Sequence, residues 1–216
     1  MRICGELGFG GFISRPNRFT ILLESRGTIR RCHLRDPGRL RELLLPGAGV
    51  IFLEKPAPGR RTDCEALAVW SGTCWVIVNS GLHNELALEA IKEGFFPELG
   101  PFTEIRREVR VGRSRIDLLI QDSLTLVEVK GCTLVRDGIA LFPDAPTSRG
   151  TKHVLELIRA MGRGYRAALL FLVMRPDARA SSANKAVDPE FYEAVLEAKR
   201  AGVMLLSCSF MLRNRR

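Results

Sequence analysis

Three residues within fourteen positions have the types and spacing that phosphodiester chemistry needs: Asp117, Glu128 and Lys130, in the stretch R-I-D-L-L-I-Q-D-S-L-T-L-V-E-V-K (115–130). A two-residue turn at Asp122-Ser123 sets Asp117 directly across from Glu128, with Cβ atoms about 5 Å apart on one face of a hairpin. Side chains alternate along a strand, so Lys130 shares that face, while Ile116, Leu118, Ile120, Val127 and Val129 collect on the other. A three-residue turn would shift this register, and Asp-Ser is a weaker turn signal than Asn-Gly. Two carboxylates that close repel and do not both ionise without a counter-charge. Lys130 supplies part of it. A divalent cation, Mg²⁺ or Mn²⁺, would supply the rest through the hard oxygen ligands such ions prefer. A cation so held polarises a phosphodiester and acidifies a bound water, and the neighbouring ammonium steadies developing negative charge or orients the water. The spacing also arises by chance as solvated charge at a strand end. The chemical reading is favoured because the charges share one face of an otherwise apolar hairpin.

Further acids lie upstream. Glu85 and Glu89 are one helical turn apart and share a face. Either could be a third carboxylate ligand, as could Glu108 in the strand before Asp117. Downstream runs F-P-D-A-P-T-S-R-G-T-K-H (142–153), an irregular Pro-rich lead into a helix that Thr147 could cap. Arg149, Lys152, His153 and Glu156 then fall opposite an apolar stripe of Val154, Ile158 and Met161. A helix N-terminus with Thr, Arg and Lys suits phosphate.

The elements that must position these groups follow from the apolar pattern. Short strand-like segments fill the first 80 or so residues, at 18–24, 28–34, 50–54, 64–70 and 74–79, with one helix-like stretch at 39–45. Five strands and one helical insertion match an OB-type barrel, with a small SH3-like barrel as the alternative. The pattern then changes to helix 84–92, strands 104–111, 115–120 and 124–130, helix 147–161, strand 167–173, helix 189–201 and strand 203–209. The expectation is a two-domain α/β protein: an OB-like barrel over 1–82 and a mixed α/β domain over 83–216.

With 216 residues, 46% hydrophobic and 26% charged, the chain has a globular composition, not a disordered one. Its longest apolar run, 167–174, is far short of a membrane span, and the first residues lack the apolar core of a signal peptide. A cytoplasmic protein is expected. The net charge of +9 favours a polyanion partner. Of 33 cations 27 are Arg, whose planar fork suits phosphate but equally a soluble surface. Between positions 26 and 41, Arg26, Arg30, Arg31, Arg35, Arg39 and Arg41 meet one acid, Asp36, a local cationic surface of the kind a barrel uses to track a phosphate backbone. The six cysteines show no zinc spacing and read as buried small hydrophobes in a reduced protein.

Several blocks together resemble one family. H-L-R-D-P-G-R-L-R-E-L-L-L-P-G (33–47), R-R-T (60–62), V-N-S-G-L-H-N-E-L-A-L-E-A-I (78–91), E-V-R-V-G-R-S-R-I-D (108–117), V-E-V-K-G-C-T-L (127–134), the 142–153 block and the late G-V-M-L-L are similar to the SfsA family, the sugar fermentation stimulation protein A homologues. Each block alone is weak; jointly they run in family order over nearly the whole chain. The resemblance implies an N-terminal OB-like domain, a C-terminal PD-(D/E)XK nuclease-like domain, DNA binding and a role in regulating sugar (maltose) metabolism. It maps Asp117, Glu128 and Lys130 onto the core acids and lysine, and Glu89 onto the helix-borne acid. Asp36 stands where Asn is common and His83 where Pro or Ala is usual.

Two functions are therefore expected: a Mg²⁺- or Mn²⁺-dependent nuclease, or a DNA-binding regulator without turnover. A third, an α/β protein acting on a small phosphorylated ligand or through protein contacts, is the plainer alternative. The nucleic-acid contacts expected are Arg30, Arg31, His33, Arg35, Arg39, Arg60 and Arg61 in the barrel and Arg115, Thr147, Arg149, Lys152 and His153 beyond it. The oligomeric state is open, a dimer included.

Overall fold

The computed structural model describes residues 1–55, 59 and 61–213; Arg60 lies outside them. Its first element is a strand absent from the expectation. β1 (Leu7–Asn17) is rich in glycine, which weakens a strand in isolation. Here glycine is what the packing needs. A Cβ on Gly8 would lie 2.1 Å from the Phe52 ring, and one on Gly10 would lie 2.6 Å from the Glu24 carbonyl oxygen.

β2 (Thr20–Ser25), β3 (Thr28–His33), β4 (Gly49–Glu54) and β5 (Cys64–Trp70) complete the barrel. β1 pairs antiparallel with β2 and β4, β2 with β3, and β4 with β5, and a parallel β3–β5 pairing closes the ring. The expected strand at 74–79 shrinks to β6 (Trp75–Ile77), a flap on β5 outside the ring. The barrel is filled by Phe12, Ile21, Leu23, Cys32, Val50, Phe52 and Val69. The helix expected at 39–45 is a set of turns. Pro-Gly pairs at 37–38 and 46–47 leave too little chain to repay helix nucleation, and Leu40 adopts φ +50. Leu40 and Leu43 instead plug the barrel, fully buried.

The second part holds α1 (His83–Lys92), β7 (Ile105–Val111), β8 (Ser114–Ile120), β9 (Thr125–Cys132), β10 (Leu134–Arg136), β11 (Ile139–Phe142), α2 (Ser148–Met161), β12 (Arg166–Val173), β13 (Ala180–Ala183), α3 (Pro189–Arg200) and β14 (Met204–Ser209). The main sheet has the order β14-β12-β9-β8-β7, with β12 parallel to β9. β12 is buried from Ala167 onward, as a central strand covered on both sides must be. β10, β11 and β13 form a small second sheet. At three or four residues each, they are too short to show a period in sequence.

The chain divides into two compact units. One is Met1–Leu82 with Met174–Ala178 and the C-terminal residues from Ser209; the other is His83–Val173 with Arg179–Cys208. All six cysteines are free thiols. Cys32, Cys64 and Cys132 are buried, but Cys4 is exposed and Cys74 and Cys208 are half-buried, so the expectation of uniform burial is corrected. Among the described residues no helix is long and apolar enough to cross a membrane.

Candidate metal and phosphate site

The β8–β9 hairpin takes the two-residue register. Leu124 N–H donates to the Gln121 carbonyl at 3.3 Å, and Ile120, Leu119 and Leu118 pair with Thr125, Leu126 and Val127. Asp122 suits the turn because its carboxylate also accepts the Thr103 N–H at 2.7 Å and the Thr103 hydroxyl at 2.8 Å. The ladder stops one step before Asp117 and Glu128. There Asp117 Oδ2 takes the Val129 N–H at 2.8 Å. On the other edge of β8, Leu118 pairs with Arg107 and Ile116 with Val109, which brackets Asp117 opposite Glu108. Glu108, Asp117 and Glu128 thus occupy one row across three strands. Glu108 sits at φ +56, a left-handed conformation that a non-glycine residue adopts at a cost, often near functional sites.

Glu128 is 2% exposed, and its two oxygens differ. Oε1 accepts from Lys130 Nζ at 2.6 Å and meets His153 Nδ1 at 2.5 Å. Oε2 is buried with no hydrogen-bond partner among the described residues. Burial pushes the Glu128 carboxyl up, but the hydrogen bond from His153 and the charge of Lys130 hold it below the usual range. Asp117 goes the other way. Burial and then the Glu128 charge raise it to about 6, against the opposing Val129 N–H. Asn84, the first residue of the helix expected over 84–92, bridges the row: its Nδ2 lies 3.3 Å from Asp117 Oδ1 and 3.2 Å from Glu108 Oε1. Arg115 Nε holds Glu108 Oε2 at 2.6 Å.

His83 packs on Gly131, where a Cβ would stand 2.1 Å from His83 Cε1; the glycine after E-x-K is a space for that ring. Burial and the Lys130 charge push His83 down to about 4, so the ring is neutral, and its buried Nε2 has no partner among the described residues. Neither His83 nor Asn84 was legible as a site residue, because their places depend on how α1 crosses β9.

The oxygens that could take a divalent cation are those of Asp117 and Oε2 of Glu128. Among the described residues no three His, Cys, Asp or Glu side chains are placed to hold an ion together. Two carboxylates nevertheless suit a Mg²⁺-like ion, which usually keeps several waters of its own. Glu89 lies half-buried on α1 and makes no third member of such a group. Glu85 forms a two-pronged pair with Arg107.

At α2, Thr147 Oγ1 caps the helix by accepting the Gly150 N–H at 3.0 Å, and Arg149 and Lys152 are exposed. His153 and Glu156, expected opposite the apolar stripe with His153 as a nucleic-acid contact, are buried. The helix turns 150, 153, 154 and 157 inward, His153 onto Glu128 and Glu156 onto Arg163 at 2.5 Å and Arg159 at 3.5 Å. His153 therefore stands behind the carboxylate. Arg115, expected to face nucleic acid, is exposed but paired with Glu108.

In the barrel, the arginine cluster is partly committed. Arg30 pairs with Glu54 at 2.7 Å and Arg35 Nε with buried Glu65 at 3.3 Å. Arg31 Nε reaches the Arg61 carbonyl at 3.1 Å, and His33 Nδ1 the Phe19 carbonyl at 3.0 Å. Arg31, Arg39 and Arg61 are exposed. Asp36 accepts the Gly38 N–H through Oδ1 at 2.8 Å, an acceptor role that Asn fills equally well.

A closed five-strand barrel joined to a mixed α/β domain, with two acids and a lysine on one hairpin, defines the class. The comparisons narrow it. Residues 13–78 match the family model described as the SfsA N-terminal OB domain, and residues 81–216 match the sugar fermentation stimulation protein RE domain. The chain belongs to the SfsA family. It is 48% identical over 199 residues to a sugar fermentation stimulation protein homolog of Methanothermobacter thermautotrophicus, covering 91% of this chain and 83% of the relative. It is 45% identical over 190 residues to that of Sulfurisphaera tokodaii, covering 88% and 77%. Among solved structures, Pyrococcus furiosus SfsA in complex with Ca²⁺ matches with a TM-score of 0.88 and 29% identity, over 97% of this chain and 91% of that one.

Proposed function

We propose that this chain is a cytoplasmic DNA-binding protein with metal-dependent phosphodiesterase chemistry at Asp117, Glu128 and Lys130. One observation carries the reading: Glu128 gives one oxygen to Lys130 and His153 and keeps the other buried, without a partner among the described residues, beside a second acid. An unpaired buried carboxylate oxygen is costly, and a cation removes the cost. The Pyrococcus furiosus relative was solved in complex with Ca²⁺, and a divalent ion in a relative supports one here.

Asp117 and Glu128 would hold Mg²⁺ or Mn²⁺, which when bound polarises the phosphodiester and supplies an acidified water. His153 fixes the Glu128 carboxylate. Lys130 carries positive charge to the phosphate, and Arg149 and Lys152 on the first turns of α2 hold a flanking phosphate. Calorimetric titration with Mn²⁺, followed by cleavage assays on single-stranded, duplex and branched DNA, tests it. Absence of Mn²⁺ binding together with intact substrate in every form overturns it.

The absence of a third His, Cys, Asp or Glu ligand among the described residues favours a second reading, a DNA-binding regulator of sugar (maltose) metabolism that does not cleave. Salt-dependent DNA binding without cleavage at saturating Mn²⁺ is its signature.

A further inference from the structure

The barrel carries an exposed aromatic surface that neither reading uses. Trp70 on β5 pairs with Trp75 on β6, their rings meeting at 5.3 Å, and Phe9 meets Trp75 edge-on at 6.1 Å. Phe9 is 62% and Trp70 40% exposed. Along β1, Phe9 and Gly11 share the outward face while Gly10 and Phe12 turn in.

Gly11 and Gly49 are partners on β1 and β4. A Cβ on Gly49 would stand 3.1 Å from Phe9 Cζ and 3.4 Å from Trp75 Cη2, so two rings lie over that glycine. Above Gly11 the space is open: its Cβ would meet only the Gly47 oxygen, at 3.9 Å. The result is a flat backbone floor beside an aromatic wall.

The turn that follows Ser25, beside the Phe9 backbone, carries a cation, Arg26, whose charge also reaches Glu54. The β2–β3 turn is Arg26-Gly27, both at positive φ, +53 and +76, the geometry that usually selects Asn-Gly or Gly-Gly. An exposed arginine held there is an outlier. Ser25 Oγ fastens this turn to the Phe9 carbonyl at 2.6 Å.

Every nucleobase has a π-face, and bases stack on aromatic side chains without regard to sequence, while an arginine fork matches phosphate. A duplex hides its base faces inside its own stack. We propose that Phe9, Trp70 and Trp75, above the Gly11–Gly49 floor, form a stacking platform for unpaired bases of a single-stranded nucleic acid, with Arg26 taking a phosphate. The inference rests on nucleic acid being the partner, but not on the acid hairpin.

Trp70 and Trp75 are the only tryptophans in the chain, so its intrinsic emission reports on this surface. The full chain is titrated with an unlabelled thymidine oligonucleotide of about 12 nucleotides and, separately, with a fluorescein-labelled one read by anisotropy. The expected result is saturable quenching that tracks the anisotropy and is weaker for a blunt duplex. Gly11→Val fills the slot yet keeps all three rings, and Phe9→Ala removes one wall. Each should weaken single-strand binding about tenfold, with thermal unfolding confirming that at least one variant folds. Binding by anisotropy with unchanged emission overturns the platform and leaves DNA binding standing. Silence in both signals overturns both. Emission that changes with protein concentration alone, with a dimer in sedimentation, assigns the surface to a second copy of the chain and also overturns the proposal.

Discussion

The barrel and the β8–β9 hairpin treat charge in opposite ways. In the barrel, buried or half-buried charge is neutralised where it stands: Glu65 by Asn79 at 2.8 Å, Arg35 and Lys55, and Arg30 by Glu54. On the hairpin, like charges share a row, and one carboxylate oxygen is left without a partner among the described residues. Charge that only stabilises a fold is paired, because an uncompensated buried charge is expensive. Charge left unsatisfied beside its like marks a place where something else is to bind.

The largest test of that contrast is Glu128→Gln. Losing the carboxylate should lower Mn²⁺ affinity at least 100-fold, in line with the weight of ligating groups and their supports, and abolish cleavage while the protein stays folded. Unchanged Mn²⁺ affinity would make the hairpin acids structural after all. The mirror test in the barrel is Glu65→Ala, which should leave the buried Asn79 amide without its acceptor and lower stability without touching Mn²⁺ affinity.

Asp117→Asn comes next, measured in EDTA. The folded carboxyl is raised from an ordinary 3.8 to about 6, so the native state binds a proton more tightly than the unfolded chain. Stability from this group is full below pH 3.8 and is lost as pH rises through about 6. The asparagine variant should therefore be more stable than wild type at pH 7, by up to about 3 kcal/mol, and the gain should vanish below pH 4 or so. Added Mn²⁺ should reverse it, by stabilising wild type alone. A variant no more stable than wild type at pH 7 would remove the repulsion from the comparison.

Why the hairpin was legible and the cluster was not follows from range. Asp117 and Glu128 are placed by a two-residue turn and a period of two, both local, so their facing positions follow from counting. The arginines between 26 and 41 were weighed against acids in their own window, which holds only Asp36. Their partners Glu54 and Glu65 arrive from β4 and β5 by pairing that the window does not contain. The same limit hid β1, whose glycines make sense only against the Phe52 ring and the Glu24 backbone. It also hid His153, whose role was set by the rotation of α2 and not by its neighbours in sequence.

The cluster can be divided by two substitutions that sequence alone would treat as equals. Arg35 is tied to buried Glu65, whereas Arg39 is exposed. Arg35→Ala should cost about 1 kcal/mol of stability, since Lys55 and Asn79 still hold Glu65 and Arg35 itself is half-exposed, with little change in the salt dependence of DNA binding. Arg39→Ala should leave thermal unfolding unmoved and reduce the slope of log affinity against log salt by about 0.9, the value of one duplex phosphate contact. That is the smallest effect expected, and it separates the two jobs most sharply. If Arg35→Ala flattens the slope as much as Arg39→Ala, pairing with Glu65 does not withhold Arg35 from phosphate, and the division between neutralised and available charge fails inside the barrel itself.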